Sequence, residues 1–353
     1  MALISLSATA VTLTNGAFHV FPADEIQQAL DSAATNSVKT VIVHSGLYRP
    51  NSARQALIWL NAKHEGIHLV AEGQVTLSAA NASLSDPKSP AYPAIVNHLV
   101  YFGSGISSNT VIRGFSLTGA NNFVAKGKTR QFEPSTQFET DLFFYTDGGA
   151  VKIFGRSYPT LDSLVISNNY SSPCAGGISI QHPEGFTSSN LFVTIRNCQF
   201  FDNRAQITGA ALDLLEGSSA VVDNCLFVRN TSNLGPDFIS LKAGELSFTN
   251  NAPLTVFRTS WIIVKNTTFT GNRNGVDDLG SKSIYENCIF WKNELQAGLP
   301  APRYEIQFNP GTIVKNCHFS GIALVEPTAK NNILQVASPD FDSSFAPHSP
   351  AYR

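Results

Sequence analysis

The sequence predicts an all-β chain wound as a parallel β-helix, and three observations predict it. The first is a phrase that returns seven times, an apolar residue, a spacer, Asn-Cys or a relative, a spacer, and a large apolar residue. Its nearly identical copies are Ile195-Arg-Asn-Cys-Gln-Phe200, Val222-Asp-Asn-Cys-Leu-Phe227, Tyr285-Glu-Asn-Cys-Ile-Phe290 and Val314-Lys-Asn-Cys-His-Phe319. Val264-Lys-Asn-Thr-Thr-Phe269 carries Thr for Cys, and Ile112-Arg-Gly-Phe-Ser-Leu117 and Leu161-Asp-Ser-Leu-Val-Ile166 are looser. A repeat of roughly 20–35 residues with insertions means a solenoid, because one unit cannot bury its apolar side alone. The second observation is period: in Cys198-Gln-Phe200 the first and third residues face one way and the middle one the other, as in a strand. The third is a shorter strand per unit, usually opened by glycine. Examples are Gly148–Ile153, Gly176–Ile180 and Gly209–Leu214, with Phe238–Leu241 and Tyr304–Phe308 in later units.

From the N-terminus, Ala2 to Leu13 is expected as a first strand and Pro22 to Ala34 as an amphipathic helix. Ile26, Ala29, Leu30 and Ala33 fall on one face of that helix, which suits it to plug the open end of the stack. The expected organisation is one domain over 1–353, with strand and capping helix in 1–40, coils in 41–320 and a closing segment in 321–353. Stacking at about 4.8 Å turns the repeat into columns. Phe200, Phe227, Phe269, Phe290 and Phe319 form one interior column, and Cys198, Cys225, Thr267, Cys288 and Cys317 another. Asn197, Asn224, Asn266, Asn287 and Asn316 sit where the chain bends, since Asn tolerates the left-handed conformation and its amide can bond the next coil. Four of the five cysteines lie in the interior column, where a free thiol packs as a small hydrophobe, and no spacing matches a zinc site.

The run from about Ile95 to Phe319 resembles the right-handed parallel β-helix repeat proteins of the pectate-lyase-like superfamily. The resemblance rests on Thr110-Val-Ile-Arg-Gly-Phe-Ser-Leu-Thr-Gly119, the Gly-Gly strand openers and the Asn-Cys-x-Phe-x-x-Asn units. Ile26–Leu30 with Thr40–Tyr48 is similar to the capping helix and first coil of that group. Ser338-Pro-Asp-Phe341 and Ser349-Pro-Ala351 are similar to its closing segment. The resemblance implies right-handed winding, a polysaccharide or oligosaccharide partner and an extracellular or cell-surface setting. Its motifs specify architecture and not chemistry.

Net charge is −2 with 14% charged residues, which argues against a nucleic-acid partner held by phosphate neutralisation. No apolar run approaches the ~18 residues that span a membrane. The mildly apolar start has no basic residue before Lys39, so it reads poorly as a signal peptide. Asn81, Asn169, Asn230 and Asn266 match the glycosylation acceptor pattern, but the Asn-rich repeat accounts for the last three better.

Chemistry is expected on the outward face of the glycine-led strands. That ladder reads Lys152, Ser179, Asp213, Ser240, then Asp277 or Asp278, then Gln307. Insertions Asn121–Thr146, Gln181–Asn190 and Lys242–Ser260 flank it as the walls of a trough, and loops on a rigid scaffold are where function is built. By resemblance, this trough corresponds to a polysaccharide-binding groove. Asp213 and Asp277 two coils apart would have backbones about 9.6 Å apart, against about 6.5–9.5 Å between the carboxyls of inverting glycosidases. They read as an acid and base pair, or as a solvated ladder residue and a turn after Asn274-Gly275. Lys152 would orient or neutralise substrate. Ser179, Ser240, Gln307, His182, Arg204, Lys242 and Trp261 are substrate-binding candidates, and Arg258 a further basic one. Lys126, Lys128 and Arg130 could attract an anionic glycan. Aromatics that could stack on sugar rings are Phe132, Phe138, Phe143, Phe144, Tyr145, Phe186 and Trp261.

The Gly-His-Gly and Arg-Ile-Lys signatures of polygalacturonases are absent, as are the calcium-binding Asp cluster of pectate lyases and the Gln and paired-Asp pattern of pectin methylesterases. No cofactor is implied, and calcium has no motif to hold it. The reading puts hydrolysis of a polysaccharide ahead of lyase or epimerase chemistry. Its alternatives are a non-catalytic surface, adhesive or structural β-helix, and a small-molecule isomerase or cyclase with a loop-capped pocket.

Overall fold

The computed structural model describes residues 11–51, 54–79, 94–121, 147–171, 174–182, 191–232 apart from 206 and 216, 252–295 apart from 281, 304–320 apart from 308 and 310, 333–335 and 338–347. Short strands stack in parallel register into three long ladders. The first runs from Ala17–Val20 through Thr40–Tyr48, His68–Ser78, Val111–Arg113, Thr160–Asp162, Val193–Arg196, Ser219–Asp223, Trp261–Lys265 and Ile284–Glu286 to Ile313–Lys315. The second continues each coil after a bend: Ser116–Thr118, Val165–Ser167, Gln199–Phe201, Leu226–Val228, Thr268–Thr270, Ile289–Trp291, Cys317–Phe319 and Ile333–Gln335. The third holds Arg54–Leu60, Val96–Phe102, Val151–Phe154, Ile178–Gln181, Leu212–Leu214, Leu254–Val256, Val276–Asp278 and Ile306–Gln307. This is the architecture of a parallel β-helix.

Each bend between the first and second ladders is made by the repeat's Asn. Asn197, Asn224, Asn266, Asn287 and Asn316 have φ between 49° and 56°, the left-handed region that a short polar side chain tolerates. Gly114 and Ser163 fill the same place in earlier coils. The next bend is closed by the Asn three residues beyond the Phe. Asn169, Asn203, Asn230, Asn272 and Asn293 are fully buried. In each of the first four, Nδ2 donates to the next one's Oδ1, at 3.0, 3.0, 3.0 and 2.8 Å. The ladder ends on the carboxylate of Glu305. Burial of Asn169 and Asn230 removes both from the reach of glycosylation.

Between the ladders lies one apolar interior, continuous from Phe18 to Phe319. Phe200, Phe227, Phe269, Phe290 and Phe319 stack nearly parallel at centroid spacings of 4.5, 4.6, 5.0 and 5.0 Å. Burying each of these rings contributes on the order of 1.5–3 kcal/mol. All five cysteines are unpaired and buried. Outside, the residue before each bend forms a ladder of alternating charge in register: Arg113, Asp162, Arg196, Asp223, Lys265, Glu286, Lys315. Asp162 bonds both Arg113 and Arg196, at 2.9 and 3.0 Å.

At the N-terminal end, the helix spans Ile26–Thr35 and starts later than expected. Phe21 N–H bonds the Asp24 carboxylate at 2.8 Å and Ala23 takes φ 97°, so Pro22–Asp24 is a turn and not a first helical turn. The helix buries the expected Ile26, Ala29, Leu30 and Ala33 against the first coils. Of the expected first strand, Thr12–Thr14 pairs antiparallel with Ala17–Val20 across an Asn15-Gly16 turn in which both φ are positive; residues 2–10 lie outside the described ones. No helix among the described residues is long and apolar enough to cross a membrane.

Candidate functional site

The register of the third ladder decides which side chains share its outward column. It reads Trp59, Tyr101, Lys152, Ser179, Asp213, Thr255, Asp277, Gln307. The expected ladder therefore holds at Lys152, Ser179, Asp213, Asp277 and Gln307. It is corrected at one rung, where Thr255 and not Ser240 lies between Asp213 and Asp277. Ser240 and Lys242 lie outside the described residues. Spacing carries the signal that was missed: Thr255 precedes Val264 by nine residues, as Lys152 precedes Leu161 and Asp213 precedes Val222. The strand alternation also separates the two aspartates. Asp277 faces out, while Asp278 falls in the inward column with Leu214 and Val256.

Asp278 is held there by Gly280 N–H at 2.8 Å, Thr312 Oγ1 at 3.1 Å and Tyr285 OH at 3.2 Å. Burial raises its pKa, with those donors opposing. It ties the third ladder to the following coils through Tyr285 and Thr312.

The outward column is enclosed, since Tyr101, Lys152, Ser179, Asp213, Thr255 and Asp277 are all at most 1% exposed. A second set of buried polar side chains meets it from the preceding turn. Asp147, Cys174 and Thr208 each lie five residues before Lys152, Ser179 and Asp213, so they stack in register beside them. Lys152 Nζ donates to Asp147 Oδ1 at 2.6 Å, Gln181 Oε1 at 2.9 Å and Ser179 Oγ at 3.1 Å. An ammonium has three protons, and all three are taken. Ser179 Oγ donates to Asp147 Oδ2 at 2.9 Å. Burial raises the Asp147 pKa, and the Lys152 charge pulls against it.

Asp213 accepts from Thr208 Oγ1 at 3.3 Å through Oδ2. Its Oδ1 makes no hydrogen bond among the described residues. Burial pushes its carboxyl well above the usual range, and the Asp147 charge adds to that. Asp277 accepts from Ala252 N–H at 3.1 Å and from the Tyr304 hydroxyl. Burial raises its pKa to about 7 against those two donors. Thr255 Oγ1, between the two carboxyls, makes no hydrogen bond among the described residues. Two aspartates two rungs apart, Asp213 kept protonated by burial and Asp277 ionising at about 7, can act as proton donor and acceptor on one bound molecule. Toward the N-terminal end the same column becomes aromatic, with Trp59 and Tyr101 stacked at 4.3 Å.

The remaining candidates lie elsewhere. His182 is buried just beyond the Ser179 strand, its Nε2 donating to the Ser157 carbonyl at 3.0 Å, and burial pushes its pKa down to about 4. It is a neutral packing residue against Tyr158 at 4.7 Å. Arg204 belongs to a short corner sheet with Tyr170 and Thr231, its guanidinium 5.8 Å from the Tyr170 ring centroid. It lines a separate groove of about 860 Å³ with Arg49 and Asp202. Trp261 faces outward on the first ladder, edge-on to Phe192 at 4.6 Å, and so sits on a different sheet from Asp213. Arg258 is an exposed turn residue. The basic run at 126–130, the insertion phenylalanines and Tyr145 lie outside the described residues.

No family model matches this chain, and no curated protein is similar to it. Among solved structures, this chain matches the catalytic domain of a GH87 alpha-1,3-glucanase in complex with tetrasaccharides. It is 13% identical over 90% of this chain and 68% of that one, with a TM-score of 0.28. So low a score lends no argument, and the fold stands on the strand register described above.

Proposed function

We propose that this chain is a single right-handed β-helix domain that hydrolyses a glycosidic bond on the outward face of its third ladder. The observation that carries the reading is the pair Asp213 and Asp277, buried on one column with a single rung between them and both raised in pKa. Backbones about 9.6 Å apart let leaning side chains reach the about 6.5–9.5 Å that an inverting pair requires. Asp213, held protonated by burial and with Oδ1 unpaired among the described residues, is the general acid and gives its proton to the glycosidic oxygen. Asp277, which ionises at about 7, is the base. A water oxygen bonds to the anomeric carbon as the bond to the leaving oxygen breaks. One water proton passes to Asp277, and solvent restores both groups.

Lys152 enters this reading as a positioning residue. Its three protons are held by Asp147, Gln181 and Ser179, which leaves none to neutralise a uronate, and so elimination ranks behind hydrolysis. The enclosure of the column favours a chain end or short oligosaccharide over the middle of a long polymer. The same enclosure is what supports the second reading, an isomerase or cyclase on a small molecule.

The test is incubation with neutral and uronic-acid polysaccharides and their short oligosaccharides, following reducing ends and unsaturated-uronate absorbance together. Reducing ends without absorbance, abolished in a folded Asp213→Asn chain, are expected. Both signals rising would replace hydrolysis by elimination. Full activity in Asp213→Asn would overturn the site, and silence throughout would favour the binding or small-molecule readings.

A further inference from the structure

We infer that Thr255 is the residue that positions the attacking water against Asp277, an inference that rests on the hydrolytic reading above. Thr255 occupies the rung between the two carboxyls, in register with Asp213 on one side and Asp277 on the other. Each neighbour is about 4.8 Å away along the ladder. One oxygen placed about 2.8 Å from a hydroxyl bridges a gap of that size to the next rung, and two oxygens do not fit in it. The rung spacing therefore suits a single bridging water.

The hydrogen bonds already made choose the side on which that water sits. Asp277 is held in orientation by Ala252 N–H on Oδ2 and Tyr304 OH on Oδ1, one donor on each oxygen. A carboxylate oxygen accepts a second hydrogen bond, so Asp277 retains acceptor capacity while its plane stays fixed. Asp213 carries its proton and presents an unpaired Oδ1, which suits it to the glycosidic oxygen and not to the water. The water thus donates to Asp277 and exchanges a hydrogen bond with Thr255 Oγ1. Its oxygen keeps a lone pair toward a sugar carbon lying over the Thr255 rung.

Thr255 itself points the same way. Its hydroxyl is fully buried and unpaired among the described residues, a condition that costs stability because the lost hydrogen bonds to water are not replaced. Valine has the same shape and equal strand preference without that cost. A threonine kept for packing alone would be the worse choice at this rung.

The experiment pairs kinetics with crystallography on the full chain carrying Thr255→Val or Thr255→Ser. In Thr255→Val, kcat is expected to fall on the order of a hundredfold, the size of losing one preorganised polar contact, with KM nearly unchanged and resistance to urea equal or higher. Thr255→Ser restores most of kcat. In high-resolution crystals of the wild-type chain, one ordered water is expected within hydrogen-bond distance of both Thr255 Oγ1 and the Asp277 carboxylate, and Thr255→Val loses it. Wild-type kcat in Thr255→Val, or a wild-type crystal with no oxygen bridging Thr255 and Asp277, overturns the role of Thr255 even in a proven hydrolase. Absence of wild-type turnover on every glycan overturns the hydrolytic reading first, and the attack with it. The two failures are therefore told apart.

Discussion

Asp277 makes stability depend on pH in a way that a single substitution isolates. Its folded pKa is about 7 against an ordinary 3.8, because burial disfavours the ionised form more than Tyr304 and Ala252 favour it. The folded chain therefore keeps a proton that the unfolded chain releases. For a group raised in this way, the contribution is fully present below the unfolded value and is lost as pH rises through the folded one. At about 1.4 kcal/mol per pH unit, the loss between pH near 5 and pH near 8 comes to about 2.5 kcal/mol. Asp277→Asn does not titrate and imitates the protonated side chain. Its Oδ1 accepts from Ala252 N–H, and its Nδ2 donates to the Tyr304 oxygen. The stability of Asp277→Asn minus that of wild type should therefore grow by about 2.5 kcal/mol over this interval, in favour of the variant at the higher pH. Urea unfolding followed by tryptophan fluorescence, both chains at both pH values, measures it, and the other titrating groups cancel in the difference. A difference that stays constant with pH, or shrinks, would refute the burial argument for Asp277.

Two further outcomes follow from the interior. Asn230→Ala cuts the buried amide ladder, leaving Asn203 N–H without its acceptor and Phe200 C=O and Asn272 Oδ1 each short of a donor. It should cost about 3 kcal/mol in the same urea assay, and a loss under about 1 kcal/mol would show the ladder to be incidental. The five cysteines are unpaired and buried, so Ellman's reagent should find none in the folded chain and all five on unfolding without reductant. A lower final count would reveal a disulfide.

How far the site was legible follows from where the chain is periodic. Lys152, Ser179 and Asp213 could be aligned because each follows a glycine-led opener by three or four residues, and Gln307 lies within a recognisable strand. Thr255 could not, because the long stretch from 233 to 256 offers two apolar segments, Phe238–Leu241 and Leu254–Val256, and composition prefers neither. Only the distance to the next Asn unit separates them. Asp277 and Asp278 were indistinguishable because Gly275 can open the strand in either phase, and the pairing of Val276 with Ile306 fixes that phase. Asp147, Cys174 and Thr208 were out of reach for a different reason. Turns carry no alternation, so three unlike residues at one offset look unrelated until the coils are stacked.

The exterior charge ladder shows why such a stack can be built from nearly identical units. Asn bends, Cys and Phe columns are interchangeable between coils, so the interior alone would let one coil pair with the next but one. Arg113, Asp162, Arg196, Asp223, Lys265, Glu286 and Lys315 remove that freedom, because every correct neighbour is of opposite sign and every second neighbour of like sign. Skipping a coil would bring Arg113 onto Arg196 or Asp223 onto Glu286. Each exposed pair is worth only about 0–1 kcal/mol, too little to hold the fold together. The wrong pairing loses each attraction and gains a repulsion of similar size, repeated along the stack. The interior supplies stability without order, and this ladder supplies order with little stability. The site depends on the second property, since Asp213 and Asp277 stand two rungs apart only if no coil is skipped between them.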